Sequence, residues 1–270
     1  MLSQLLERAG SSGCLAMLVF AHPDDEAIAL GARLHRFDSP LLVHITDGAP
    51  RNLDDSTAHG FRSLADYRRQ REEELNCALK LAGLEATKRI RLGIPDQEAT
   101  LCLSQLTRDI RRLLLRHRPE VVFTHPYEGG HPDHDACTFA VHRAVAAVEA
   151  AGRKPPAIVE ADFYHSGPNG MATGCFLPHS DHTEEICLSL SDDERRRRQA
   201  LLACFSSQQD ILHCFPPDRE CFRIAPRYDF HRPPHRTPVF YDQHPWGMTS
   251  ARFCELAREA DALDREMSPA

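Results

Sequence analysis

Cys14-Leu15-Ala16-Met17-Leu18-Val19-Phe20 runs directly into Ala21-His22-Pro23-Asp24-Asp25-Glu26, and then into Ala27-Ile28-Ala29-Leu30-Gly31-Ala32-Arg33-Leu34. The first run is apolar and short, the pattern of a parallel strand buried on both faces. The last is helix-like. The six residues between them therefore sit at a strand-to-helix turn, at the carboxyl end of a strand, where open α/β sheets place their ligands. One histidine and two carboxylates within four positions crowd like charge, which is costly unless a cation binds. A metal ion is the expected cation.

The same alternation continues downstream. Pro40 to Thr46 reads as a second strand, ending in the turn cluster Asp47-Gly48-Ala49-Pro50, and residues 51–62 as a polar loop. Helical periodicity returns from about Ser63 to Ala82, with Gly83 as its stop signal. Arg89 to Leu92 is a short strand followed by the loop Gly93-Ile94-Pro95-Asp96-Gln97. A helix from about Leu101 to His117 stops before Pro119, Glu120 to Thr124 is a strand, and Asp133 to Ala151 a helix. Strands alternating with helices of this length predict a parallel sheet covered on both faces, with the strand carboxyl ends brought to one rim by right-handed crossovers.

Beyond about Lys154 the pattern changes. Ala157 to Tyr164 and Glu184 to Leu190 read as strands, Asp192 to Phe205 and Thr249 to Asp264 as helices. Residues 206–247, rich in proline, aromatics and histidine, read as an irregular segment wrapped on the core and walling the substrate pocket. Met1 to Arg8 is a short amphipathic helix and Pro269-Ala270 a frayed end.

A second constellation follows the strand at 120–124: Thr124-His125-Pro126-Tyr127-Glu128-Gly129-Gly130-His131-Pro132-Asp133-His134-Asp135. Positions 131 and 134 share a face at a helix start, with the same spacing as His22 and Asp25. Two such elbows on neighbouring strands place His22, Asp25 and one histidine of the second pair around a single point. Two histidines and a carboxylate suit zinc with an open fourth position, at roughly 2.0–2.2 Å per ligand, and equally the facial triad of non-haem iron. Water in the open position becomes acidic enough to use near neutral pH. Asp24 is placed to take its proton, and the remaining histidine to stabilise charge on a substrate oxygen. Metal-assisted hydrolysis follows from the residues alone.

Composition narrows the classes. At 270 residues with 42% hydrophobic content the chain builds a real core, and it contains no apolar run of about 18 residues that would span a membrane. A net charge of −7, with no basic tract interleaved with aromatics, argues against nucleic acid. The run Arg195-Arg196-Arg197-Arg198 reads as the solvated face of a helix, with contact to an anionic substrate group as the alternative. None of the ten cysteines is spaced as C-x-x-C, so reduced, mostly buried thiols are expected. With no signal-peptide layout at the start, the expected location is the cytoplasm.

His22-Pro23-Asp24-Asp25-Glu26 followed by His131-Pro132-Asp133-His134 resembles the PIG-L/LmbE-like family over about residues 14–150. These are zinc-dependent de-N-acetylases of N-acetylglucosamine conjugates. The resemblance implies His22, Asp25 and His134 as metal ligands, Asp24 as general base, and His131 as stabiliser of the oxyanion and acid toward the leaving amine. It implies Asp133 as the partner that orients a histidine. Arg71-Glu72-Glu73-Glu74-Leu75 matches the family's R-x-x-E-L, which makes Arg71 the substrate-contacting arginine; the alternative is an i,i+3 partner of Glu74 on a solvated helix. Asp96, at another strand end, is a candidate for binding sugar hydroxyls. Mycothiol-pathway members carry a tyrosine two residues before the first histidine of the second motif. Here that position is Gly129, and the nearest tyrosine is Tyr127. His165, His179, His182, His231, His235 and His244 receive no role.

The expected fold is therefore α/β, with a Rossmann-like, mostly parallel sheet, helices on both faces and an irregular C-terminal elaboration. One domain spans residues 1–270, with a catalytic core to about 155. The expected reaction is zinc-dependent removal of an N-acetyl group from an N-acetylglucosamine-type conjugate, with Fe2+ as the alternative metal. The expected partner is that small molecule, with no nucleic acid and no membrane span; assembly into a homo-oligomer is left open. The rival readings are a metal-dependent amidase or esterase on a non-sugar substrate, and a sugar- or nucleotide-binding module without turnover. The first turn has no G-x-G-x-x-G, which weakens a dinucleotide site.

Overall fold

The strand read from the apolar run is β1, Ala16–Phe20, and all five of its residues are buried. A computed structural model describes residues 2–9, 13–236 and 238–267 of the chain. Helix α1 (Leu2–Ala9) precedes β1, and α2 (Asp25–Leu30) follows it. Then come β2 (Leu41–Pro50), α3 (Asp54–Ala58), α4 (Leu64–Leu81), β3 (Arg89–Asp96), α5 (Leu103–His117), β4 (Val121–Thr124) and α6 (Pro132–Ala150). The second half contributes β5 (Ala157–Ala161), the hairpin strands β6 (Tyr164–Gly167) and β7 (Gly170–Thr173), β8 (Glu185–Ser189), α7 (Asp192–Leu202), α8 (Gln209–Leu212), β9 (Arg219–Ile224) and α9 (Ser250–Met267).

Seven strands form one sheet in the order β3-β2-β1-β4-β5-β9-β8, and β6 and β7 form a separate hairpin. The first five strands are mutually parallel, β9 runs antiparallel to β5, and β8 antiparallel to β9. Alternation along β1 divides the interior in two. Ala16, Leu18 and Phe20 face a core closed by α1, α2 and α4, whereas Met17 and Val19 face one closed by α5, α6 and α9. Each fully buried Leu, Val or Phe contributes on the order of 1.5–3 kcal/mol, so two-sided burial holds β1 as the axis of the fold.

The chain order reverses between β1 and β4. Both are parallel neighbours, with Ala16 opposite Val121 and Leu18 opposite Phe123, yet they are followed by helices that leave toward opposite faces of the sheet. Such a switch point opens a crevice at the strand carboxyl ends. His22 lies two residues beyond β1 and His125 one residue beyond β4, so both histidine-rich turns open into that crevice.

Several sequence expectations change, and the strand expected over Ala157 to Tyr164 divides into β5 and β6, which belong to different sheets. The segment 206–247 is not irregular throughout: β9 lies within it and pairs with β5 inside the main sheet. Its pattern is masked because Glu220 and Arg223 are buried charges, Glu220 accepting from the Ala32 amide and Arg198, and Arg223 donating to Glu160 and Glu128. The cysteines are not all reduced, because Cys187 and Cys221, directly opposite on β8 and β9, are disulfide-bonded. The polar loop at 51–62 contains α3. In the arginine run, Arg195 and Arg196 pair along the helix surface while Arg198 turns inward to the Ile28 carbonyl. The expected frayed end, Pro269-Ala270, lies outside the described residues.

Candidate metal centre and active site

Asp24 caps α2 with φ 148°, a conformation that L-residues rarely hold and that tends to be kept where function requires it. Pro23 ahead of it and the helix behind it aim the side chains of His22, Asp24 and Asp25 into the crevice, where all three are buried. On the other elbow, His131 caps α6 and Pro132 occupies its first turn, where a missing N–H costs nothing. His131 Nδ1 accepts from the Asp133 amide at 3.2 Å. The resemblance implies a protonated His131, but burial and the neighbouring His22 hold its pKa well below the ordinary value; the neutral ring carries its proton on Nε2, which faces the crevice.

Three side chains converge, with Asp25 meeting the two histidines through different carboxylate oxygens. His134 Nε2 is 3.3 Å from His22 Nδ1 and 3.4 Å from Asp25 Oδ1, and His22 Nδ1 is 3.5 Å from Asp25 Oδ2. Bonds of about 2.1 Å at tetrahedral angles place donor atoms about 3.4 Å apart, close to these pairwise spacings. The groups whose ligand atoms all lie within 4.8 Å of one another share its members: His22, His131 and His134; His22, Asp96, His131 and Asp133, with Asp96 partly exposed; and Asp25, His125 and His134.

The electrostatics favour a cation. Burial opposes ionisation of Asp25, yet His134 and His125 beside it hold its carboxyl well below the usual range. Burial likewise disfavours a charged His22, but Asp96, Asp133 and Asp25 raise its pKa well above the ordinary value. In the metal-free chain His22 is thus the cation of an acidic cluster, and metal binding there would displace a proton. Burial lowers the pKa of His134, keeping it in the neutral form a metal needs.

Asp96 and Asp133 meet the other side of His22. Its Nε2 lies 3.0 Å from Asp96 Oδ1 and 3.4 Å from Asp133 Oδ2, an arrangement that keeps the Nε2 proton in place and leaves Nδ1 free to ligate. Asp133 is itself held by the amides of Gln97 and Ala99 at 2.6 and 3.0 Å. Arg71 is 2% exposed and donates from its NH2 to Asp24 Oδ2 at 3.1 Å. It passes close over Gly48, where a Cβ would lie 2.8 Å from Arg71 Nε. The solvated-helix alternative for Arg71 does not hold. Burial drives the pKa of Asp24 up to about 7 against the opposing pull of Arg71.

Some functional neighbours had no clear sequence signal. His125 stacks on His134 with ring centroids 3.9 Å apart, and its Nε2 lies 3.3 Å from Asp25 Oδ2; its position one residue past β4 was the only hint. Burial lowers its pKa to about 3, so the ring is neutral. Tyr127 points away from the crevice and donates to the Arg232 carbonyl. Tyr164 from β6 and Trp246 from the C-terminal segment instead bring rings to His134 and His131, at 5.5 and 4.7 Å between centroids.

Residues 17–145, the stretch that carries both elbows, match the family model described as PIG-L, GlcNAc-PI de-N-acetylase. This stretch carries a PIG-L family domain. Solved structures with the same PIG-L fold include an antimicrobial reagent A40926 pseudoaglycone deacetylase, 16% identical with TM-score 0.59, covering 80% of this chain and 98% of that one. The zinc-inhibited form of teicoplanin deacetylase is 17% identical, with TM-score 0.57 and coverage of 79% and 99%. The N,N'-diacetylchitobiose deacetylase of Pyrococcus horikoshii is 19% identical, with TM-score 0.53 and coverage of 78% and 79%. At these identities the likeness is one of fold. No helix among the described residues is long and apolar enough to cross a membrane.

Proposed function

We propose that this chain is a zinc-dependent deacetylase that hydrolyses the acetamide of an N-acetylglucosamine-type conjugate to the free amine and acetate. The observation that carries the reading is the convergence of His22 Nδ1, Asp25 and His134 Nε2 within 3.5 Å of one another, beside the buried pair of Asp24 and Arg71. His22, Asp25 and His134 are the proposed ligands. A bound divalent ion supplies Lewis acidity to the carbonyl and makes water acidic enough to attack near neutral pH.

The protein's own groups do the rest. Asp24 accepts a proton from the attacking water, its carboxylate held in place by Arg71. His131 donates its Nε2–H to the oxygen that gains charge at the carbonyl, and Asp24 returns the proton it took from the water to the nitrogen as the C–N bond breaks. Asp96 and Asp133 keep the His22 ring in the ligating tautomer. Asp96 is thereby given a positioning role in place of sugar binding. Arg71 retains an Nε and an NH1 with no hydrogen-bond partner, which suits contact with a substrate oxygen.

The test is acetate release by the zinc-loaded protein across a panel of N-acetylglucosamine conjugates, with a chelated control. Chelator-sensitive release supports the reading. Release only from non-sugar amides or esters assigns another hydrolase, and retention of sugar without release assigns a binding module.

A further inference from the structure

The C-terminal segment between β9 and α9 is fastened to the second elbow. Gly129 accepts at its carbonyl from the Phe240 amide at 2.9 Å and the Tyr241 amide at 3.4 Å. Val239 packs where a Cβ on Gly129 would come within 2.6 Å. Asp242 then caps the amides of Val239 and Ser250, so the chain from 239 to 250 is held as a fixed loop two residues from His131. At its tip lies Pro245-Trp246-Gly247, with Pro245 and Gly247 exposed and Trp246 partly so.

Trp246 is not simply a core residue. It packs on the small cluster of Val239, Tyr241 and Met248, but its ring also meets His131 at 4.7 Å and stacks on His244 at 4.5 Å and 14°. Phe240 joins them, 4.5 Å from His244 and 5.3 Å from Tyr164. The crevice thus has an acidic, histidine-lined floor and one aromatic wall, on the His131 side.

We propose that Trp246 and His244 form a stacking platform for the pyranose ring that bears the scissile acetamide. This rests on the deacetylase reading above, in which His131 lies at the reacting carbonyl. Trp246 lies 4.7 Å from His131, so a ring bonded to the amide nitrogen comes within reach of this wall. A sugar ring offers an apolar C–H face to an indole and hydroxyls on its edges, matching an aromatic wall that meets a polar floor.

Trp246 is the single tryptophan of the chain, so indole emission reports this platform alone. N-acetylglucosamine titrated into the zinc-loaded Asp24→Asn chain should shift or quench that emission saturably. Trp246→Leu, which keeps apolar bulk on the small cluster, should raise KM for an N-acetylglucosamine conjugate about fivefold to tenfold with kcat little changed. The loss should be larger for the conjugate than for an acyclic N-acetyl amine, and Trp246→Phe should recover part of it. Acetate release from the conjugate without an emission change, or with KM equal in parent and Trp246→Leu, overturns the platform while the deacetylase reading stands. An emission shift with no acetate release by the parent chain keeps the platform and sinks the deacetylase reading. Absence of both removes the two together.

Discussion

Arg71 and Asp24 form a buried ion pair, NH2 to Oδ2 at 3.1 Å, in which 2% and 5% of the two residues are exposed. The pair joins the middle of α4 to the cap of α2 and sets the carboxylate that faces the proposed metal site. Removing either member leaves a buried charge without its partner, which costs about 3–5 kcal/mol.

Asp24→Ala should keep the metal and lose turnover by about a hundredfold to ten-thousandfold. Metal content measured by mass spectrometry, alongside acetate release, checks it. Full activity in that variant would remove Asp24 as the base. Arg71→Gln should lower both turnover and the unfolding midpoint, since it strips the cation from a carboxylate that burial already disfavours.

Zinc binding to the folded chain should raise its melting temperature, because an ion held only by the native state at a hundredfold excess over Kd adds about 2.7 kcal/mol. EDTA should reverse the rise, and His134→Ala should abolish it. A zinc response intact in His134→Ala would mean that another of the overlapping donor groups holds the ion.

Asp96→Asn separates two roles for that carboxylate. Orientation of His22 predicts that metal affinity weakens by about tenfold to a hundredfold, read by competition with a chromogenic chelator. A rise in KM with metal affinity unchanged would return Asp96 to the sugar hydroxyls.

Gly130→Ala tests the close approach of β6 to the second elbow. A Cβ at 130 would lie 2.1 Å from the Tyr164 carbonyl oxygen, and backbone against backbone cannot relax cheaply. The variant should be destabilised by about 1–3 kcal/mol or more, measured by urea unfolding, and should lose metal binding with it. Gly152→Ala, in open space but at a positive φ that Gly130 does not have, shows what backbone strain alone costs.

Glu128 should make the metal-free chain less stable as pH rises. Burial pushes its pKa from 4.5 up to about 8 against Arg223, a guanidinium shared with Glu160. Between about pH 4.5 and 8 the folded chain keeps a proton that the unfolded chain has released, so stability falls across that window and levels off above it. Glu128→Gln, which stays neutral, should flatten the fall. Urea midpoints at pH 5.5 and 8 for both chains decide it.

Local pattern carried much of this protein. The elbow after Phe20 was legible because a five-residue apolar strand, a Pro and paired acids are adjacent in the chain, and the same grammar recurs from Val121 to His134. β9 was not legible, because Glu220 and Arg223 look like solvent-facing residues until their distant partners, Arg198, Glu160 and Glu128, are in place. The Cys187–Cys221 bond was hidden for the same reason: its two strands are 34 positions apart in sequence.

By itself the sequence determined which residue types stand at the ends of β1 and β4, since strand and helix periods report burial within one element. Tertiary structure decided which of those groups meet. It made β1 and β4 neighbours at the switch point, turned Arg71 inward onto a carboxylate 47 positions away, and set Asp96 on a histidine 74 positions away. It also carried Trp246 to His131. Contacts of that range depend on strand order and on how whole elements pack, and no local period records either.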